Sequence, residues 1–226
     1  MARIYRTPWG EIRPSVDVVP VLIVLISYGF IYFLPAHLFT WIFHGDDGPI
    51  EWLQVLALVV AAITSSLAAW RSGRRAGAVQ TGAWVLLAVA CVLQTGEEIS
   101  WGQRLLSGVA NPALQNLNVQ GETNLHNLKG VNSLMHVSYI LFGLGLGFAG
   151  WRFLPRLACL PPRELSLYFL PLALFAAYLD LSWLTNLERI RDDQELFEFL
   201  AYLGLAVNGC RGAFPAWWAA RQGSGG

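Results

Sequence analysis

Apolar residues fill six stretches of this chain, near 18–39, 51–70, 79–96, 131–151, 165–184 and 196–214. Each comes close to the roughly 20 residues that a helix needs to cross the hydrocarbon core of a bilayer. In hydrocarbon the backbone must satisfy its own hydrogen bonds, so the pattern predicts an all-α, polytopic helical bundle of about six transmembrane helices. Glu198, Asn208 and Arg211 interrupt the sixth stretch. Pro20, Pro35 and Pro171 fall where kinks or helix ends are expected. The first stretch follows Arg3, Arg6 and Arg13 but is longer than the apolar part of a secretory leader, which predicts a retained first span. Residues 1–222 read as one membrane domain and 223–226 as a flexible tail.

One connection, 97–130, has about twice the length at which a structureless loop becomes unusual. It is expected to be structured. Residues 97–106 read as an extension of the third helix or an interfacial helix, Asn111 and Pro112 as a turn, and 122–132 as a helical lead into the fourth span.

The connections alternate in charge. Arg3, Arg6, Arg13, Arg71, Arg74, Arg75, Arg152, Arg156, Arg163, Arg211 and Arg221 belong to one side; Arg104, Lys129, Arg189 and Arg191 belong to the other. Basic residues stay in the cytoplasm, so both termini are expected inside and 97–130 outside. Trp70, Trp84, Trp151, Trp217 and Trp218 then mark the inner interface, and Trp41, Trp52, Trp101 and Trp183 the outer one. Composition agrees, with 55% hydrophobic and 13% charged residues, about half the charged fraction of a soluble domain. The net charge of zero gives no nucleic-acid-binding surface. Cys91, Cys159 and Cys210 lie in or beside apolar runs and read as small buried hydrophobes.

Candidate chemistry concentrates on the outer side. The run EEISWGQR places Glu97, Glu98, Trp101, Gln103 and Arg104 where the third span leaves hydrocarbon. Adjacent carboxylates there are costly unless hydrated, paired or metal-bound. A second block, QGETNLHNL (120–128), carries Glu122, Asn124, His126 and Asn127. If it is helical, Glu122 and His126 face the same way and could share a metal or form an acid–base pair. A third group, Glu188, Asp192, Asp193, Glu195 and Glu198, has Arg189 and Arg191 as counterions and by itself reads as a solvated loop. Taking 1.5 Å per residue, His136 lies about 8 Å and Asp180 about 6 Å below the outer ends of their spans. Glu198 lies at a similar depth. Ionisable groups from four spans therefore reach one layer, which predicts a polar cavity near the outer face.

The sequence GLGFAG (145–150) matches a dinucleotide fingerprint in spelling only. It lies inside an apolar span and follows no strand. Gly143 and Gly147 instead form a small-xxx-small pair suited to close helix approach.

Together, EEISWGQR and the later QGETNLHNL resemble a signature of uncharacterised polytopic bacterial membrane proteins. The resemblance covers some thirty residues, all in the third loop. It implies that this loop is the functional centre, in the bacterial cytoplasmic membrane, and it supplies no reaction. Ceramidase-like membrane metal hydrolases do not fit, because Ser133 and His136 have the wrong spacing and no late His-x-x-x-His follows.

Two functional expectations follow. In the first, an enzyme acts on a lipid or lipid-linked substrate at the outer face. Glu97, Glu98, Glu122 and His126 are its catalytic candidates; Trp101, Gln103, Arg104, Asn124 and Asn127 bind substrate; and Glu98, Glu122, His126 and His136 would ligate a divalent metal. In the second, the chain is a non-catalytic subunit of a larger membrane complex, with membrane lipids and other subunits as partners and the polar loop as docking surface.

Overall fold

A computed structural model describes residues 5–7, 10–12, 17–43, 48–74, 77–103, 117–118, 124–125, 128, 131–181, 193–216 and 218–219. A short hairpin pairs β1 (Tyr5–Thr7) antiparallel with β2 (Gly10–Ile12). The rest of the architecture is helical: α1 (Val19–Phe33), α2 (Ala36–Phe43), α3 (Pro49–Gly73), α4 (Ala78–Glu98), α5 (Asn132–Leu144), α6 (Gly150–Phe153), α7 (Ser166–Leu181) and α8 (Gln194–Ala213). A π-helical turn, Gly145–Ala149, joins α5 to α6. The fingerprint-like sequence is thus a helical segment and not a phosphate-binding loop.

Three helical stretches are long and apolar enough to cross a membrane: α3, α4 and Leu134–Phe153. Large apolar side chains face outward as well as inward: Leu25, Leu86, Leu141 and Leu174 are exposed, while Gln54, Ser65, Glu198 and Asn208 are buried within an otherwise apolar core. That distribution suits a lipid exterior, where apolar surface costs nothing and polar side chains find partners between helices.

The first apolar run is not one helix. It breaks at Leu34, whose backbone is extended (φ −96°, ψ 142°) ahead of Pro35. The ring of a proline drives the preceding residue out of the helical region. The chain restarts as α2.

α8 is the centre of the assembly. It packs along α3 on one side and α7 on another; α4 lies against α3, and α5 against α7. Leu58, Phe169, Leu172, Leu200 and Leu205 fill the shared core. Small residues permit the close crossings. A Cβ at Gly204 of α8 would stand 2.5 Å from the Cβ of Tyr168, and one at Gly143 of α5 would stand 2.7 Å from that of Ala173 on α7.

Polar ties sort the helix ends. The Asp17 amide donates to the Glu164 carbonyl at 2.7 Å, joining the starts of α1 and α7. The Ala158 amide donates to Gln80 Oε1 of α4 at 2.9 Å. Arg211, near the end of α8, donates to the Leu160 carbonyl at 3.1 Å. One end of the bundle therefore gathers the starts of α1, α4 and α7 with the end of α8. Arg71, Arg74, Arg152, Arg156, Arg163 and Arg211 all lie toward it. The other end gathers the end of α4 with the start of α8, and there the carboxylates meet.

Candidate functional site: a carboxylate cluster at the head of α8

The two glutamates that close α4 part company. Helix α4 stops at Glu98 because the backbone then turns left-handed: φ is 47° at Ser100, 54° at Trp101 and 90° at Gly102. Two non-glycine residues in that region cost on the order of 1–3 kcal/mol each and persist only where surrounding contacts hold them. Of the helix expected over 97–106, as an extension or an interfacial helix, the described part runs to Glu98 and then gives way to this left-handed turn; residues 104–106 lie outside the described residues. Gly96 makes room for the turn, since a Cβ there would come within 2.9 Å of the Trp101 ring.

Contacts around the turn form a knot. Trp101 Nε1 donates to Glu97 Oε1 at 2.7 Å, and the Leu125 amide donates to Glu97 Oε2 at 2.6 Å. Asn124 Nδ2 donates to Ser100 Oγ at 3.2 Å. Asn118 Nδ2 donates to Asn124 Oδ1 at 2.8 Å and to its carbonyl at 3.0 Å. Residues 118 and 128 are joined by an isolated bridge. Ser100, Asn118 and Asn124 are buried, so these bonds replace lost water. The two loop blocks are thus in contact. Glu97, Trp101 and Asn124, read from sequence as catalytic or substrate-binding, are here engaged in holding the loop. Gln103 closes the turn through its amide, which donates to the Ser100 carbonyl.

Glu98 points the other way, into the bundle. Its Oε1 accepts from Gln94 Nε2 at 2.8 Å and from the Tyr202 hydroxyl of α8 at 3.0 Å. The same Gln94 Nε2 reaches the Tyr202 oxygen at 3.0 Å. One turn before Tyr202, buried Glu198 accepts from Gln194 Nε2, and Tyr139 of α5 lies near it. Glu195 Oε2 accepts from Gln54 Nε2 of α3 at 2.8 Å. Asp193, just before α8, accepts from the Tyr28 hydroxyl of α1 at 2.7 Å. The head of α8 is therefore touched by α1, α3, α4 and α5.

Glu98, Glu195 and Glu198 belong to one buried polar group at the head of α8. Among the described residues, the donors to these three carboxylates are all neutral. The start of α8 favours its own acidic residues by about 0.3–1 kcal/mol each. Burying a carboxylate costs several kcal/mol. Hydrogen bonds and the helix start offset part of that cost.

Geometry bears on the expected metal in one respect. Among the described residues, no three His, Cys, Asp or Glu side chains group closely enough to hold an ion. Glu98 and His136, two of the four proposed ligands, are described; His136 lies one turn before Tyr139, on the α5 face that looks toward Glu198. Arg104, Glu122, His126 and Asn127 lie outside the described residues, as does the side chain of Asp180.

No family model, no curated protein and no solved structure matches the chain. The cluster's chemistry must be read from its own residues.

Several of those residues escaped the sequence reading. Gln54, Gln94, Gln194 and Tyr202 supply the donors and Tyr139 lies beside them, yet none was singled out. The usable signal was periodicity: Glu195, Glu198 and Tyr202 recur at helical spacing along one apolar run. Farther along the same helix, on another face, the polar residues are structural. Asn208 Nδ2 donates to the Cys159 carbonyl at 2.6 Å, and Arg211 donates to Asn208 Oδ1 at 3.1 Å, fastening the connection between α6 and α7.

Proposed function

We propose that the protein is an integral membrane enzyme that works on a lipid or lipid-linked substrate from the carboxylate cluster. In this reading six spans cross a cytoplasmic membrane, both termini stay inside, and the cluster lies beneath the extracytoplasmic surface. The observation that carries it is the Tyr202 hydroxyl donating to Glu98 at 3.0 Å inside the bundle, with buried Glu198 one turn before Tyr202 on the same helix. Neighbouring carboxylates in different surroundings are suited to hold a proton on one and release it from the other, which is general acid–base chemistry. Tyrosine hydroxyls between helices supply a route for that proton.

The purified full-length protein in nanodiscs is incubated with membrane lipids and the products are followed by mass spectrometry. Glu98→Gln and Glu198→Gln are each expected to lower turnover by about 100-fold or more, with unchanged helicity. Turnover within about twofold of the parent in both variants would exclude these groups as acid and base.

An accessory subunit is the second reading, favoured by one observation: Trp101, Leu117 and Leu125 are exposed around the loop knot. Aromatic and apolar side chains beside a rigid turn suit a protein interface. In that case the same preparation carries fixed partner subunits and turns over no lipid.

A further inference from the structure

We infer that a groove between α3 and α4, at the arginine end of the bundle, holds an anionic phospholipid. The site lies away from the carboxylate cluster and does not depend on it.

The groove has a volume of about 560 Å³, within the roughly 300–1,000 Å³ that ligand sites occupy. Small residues create it. Ala69 and Gly73 of α3 and Ala88 of α4 leave a trough between two helices that otherwise pack along their length. Even a Cβ at Gly73 would stand 3.8 Å from Thr81, at ordinary contact distance. The two hydroxyls in the lining are turned to their own helices. Ser66 Oγ donates to the Ala62 carbonyl at 2.8 Å, and Thr81 Oγ1 donates to the Gly77 carbonyl at 3.0 Å. What faces the trough is therefore apolar. Trp70, Val85 and Val89 line it and are exposed, on helices long and apolar enough to cross a membrane, so it opens sideways toward acyl chains. Its span from Ser66 to Arg74 is about 12 Å along the helix axis, a trough laid lengthwise as a chain would lie.

Charge at the mouth selects the head group. Arg74 lines the groove with its guanidinium 4.2 Å from the centre of the Trp70 ring, and this cation–π contact keeps the charge at the rim. No Asp or Glu occurs between Glu51 and Glu97, so Arg71, Arg74 and Arg75 have no acid on their own hairpin. Helix α4 begins beside them at Ala78, capped by a glycine and with no acidic residue in its first turn. A helix start favours negative charge. Positive charge without a local acid, set over an apolar trough, matches a phosphate joined to an acyl chain. The same charge disfavours a second copy of this chain as occupant, because a two-fold pairing over this face would set arginines against arginines.

The full-length protein in micelles of a neutral detergent, at low salt, is titrated with phosphatidylglycerol and phosphatidylcholine of identical short chains, and binding is read by native mass spectrometry. Phosphatidylglycerol is expected to bind about five- to tenfold more tightly. Arg74→Gln brings the two lipids within about twofold of each other. Ser66→Phe, at an exposed position, fills the far end of the trough; it weakens both lipids by about fivefold or more and leaves their ratio unchanged. Equal affinity for the two lipids in the parent protein overturns the proposal, as does a preference that survives Arg74→Gln. Inorganic phosphate that displaces phosphatidylglycerol at equal concentration overturns the assignment to a lipid. A dimer that Ser66→Phe converts to monomer, with no lipid preference in either, overturns it in favour of a second copy of the chain.

Discussion

Glu97 and Glu98 are neighbours in sequence with opposite tasks, and one residue's rotation on a helix accounts for the difference. Consecutive positions on α4 diverge by about 100°, so one carboxylate faces the loop and the other the bundle. Glu97 serves two donors, the Trp101 indole and the Leu125 amide. Glu97→Ala leaves both to water at a partly exposed site, with an expected cost of about 1–2 kcal/mol. The expected signature is local: faster amide exchange at Leu125 and around Ser100, with little change in the exchange of α3 and α8. Hydrogen-exchange mass spectrometry reads this directly, and unchanged protection at Leu125 would show that Glu97 does not hold the loop. Cys91 and Cys159 are buried free thiols, as their apolar settings predicted, and Cys210 is only partly buried.

Among the elements, α8 carries both the site and the packing, and its sequence reflects the compromise. Its first turns hold Glu195, Glu198 and Tyr202; its other buried residues are Leu, Ala and Gly together with Phe197 and Asn208. Gly204 lets α8 approach α7 so closely that Val there has no room against Tyr168 and Phe169. Gly204→Val is expected to destabilise the bundle by about 1–3 kcal/mol or more, through forced displacement of α7. Gly82, in the exposed interior of α4, has nothing within 4 Å of its Cβ position. Gly82→Ala is expected to be neutral or to stabilise by up to about 1 kcal/mol, by restricting the unfolded chain. Thermal melts of the two variants in the same detergent compare the predictions, and equal effects would mean that the α7–α8 crossing is looser than the structure has it. The break at Leu34 belongs to this scale too. Apolar content ran on through Pro35, but the proline ended the helix.

For the molecule as a whole, the segregation of arginine to one end of the bundle is the organising fact. The structure places Arg71, Arg74, Arg152, Arg156, Arg163 and Arg211 toward the end opposite the carboxylate cluster. In the proposed orientation that end faces the cytoplasm. In a background lacking the three cysteines, Arg75→Cys is expected to resist a membrane-impermeant maleimide in intact cells, and Pro112→Cys is expected to react. The reverse pattern would invert the topology and put the cluster at the cytoplasmic face.

What the sequence determined by itself follows from sums along the chain. Helical class, apolar spans, the segregation of arginine and the pairing of Gly143 with Gly147 depend on composition and short-range periodicity, so they were legible without a fold. The layer of ionisable groups was legible in part: depth along each span is simple arithmetic, and it brought Glu98 and Glu198 to one level. Which side chains meet within that level was decided by tertiary structure alone. Glu97 became a tie for the loop because three residues with positive φ bring Trp101 back to it, a backbone choice that no periodicity announces. Gln54, Tyr139 and Tyr202 entered it because α3, α5 and α8 present those faces to one another, and rotation about a helix axis is fixed by packing rather than by hydropathy.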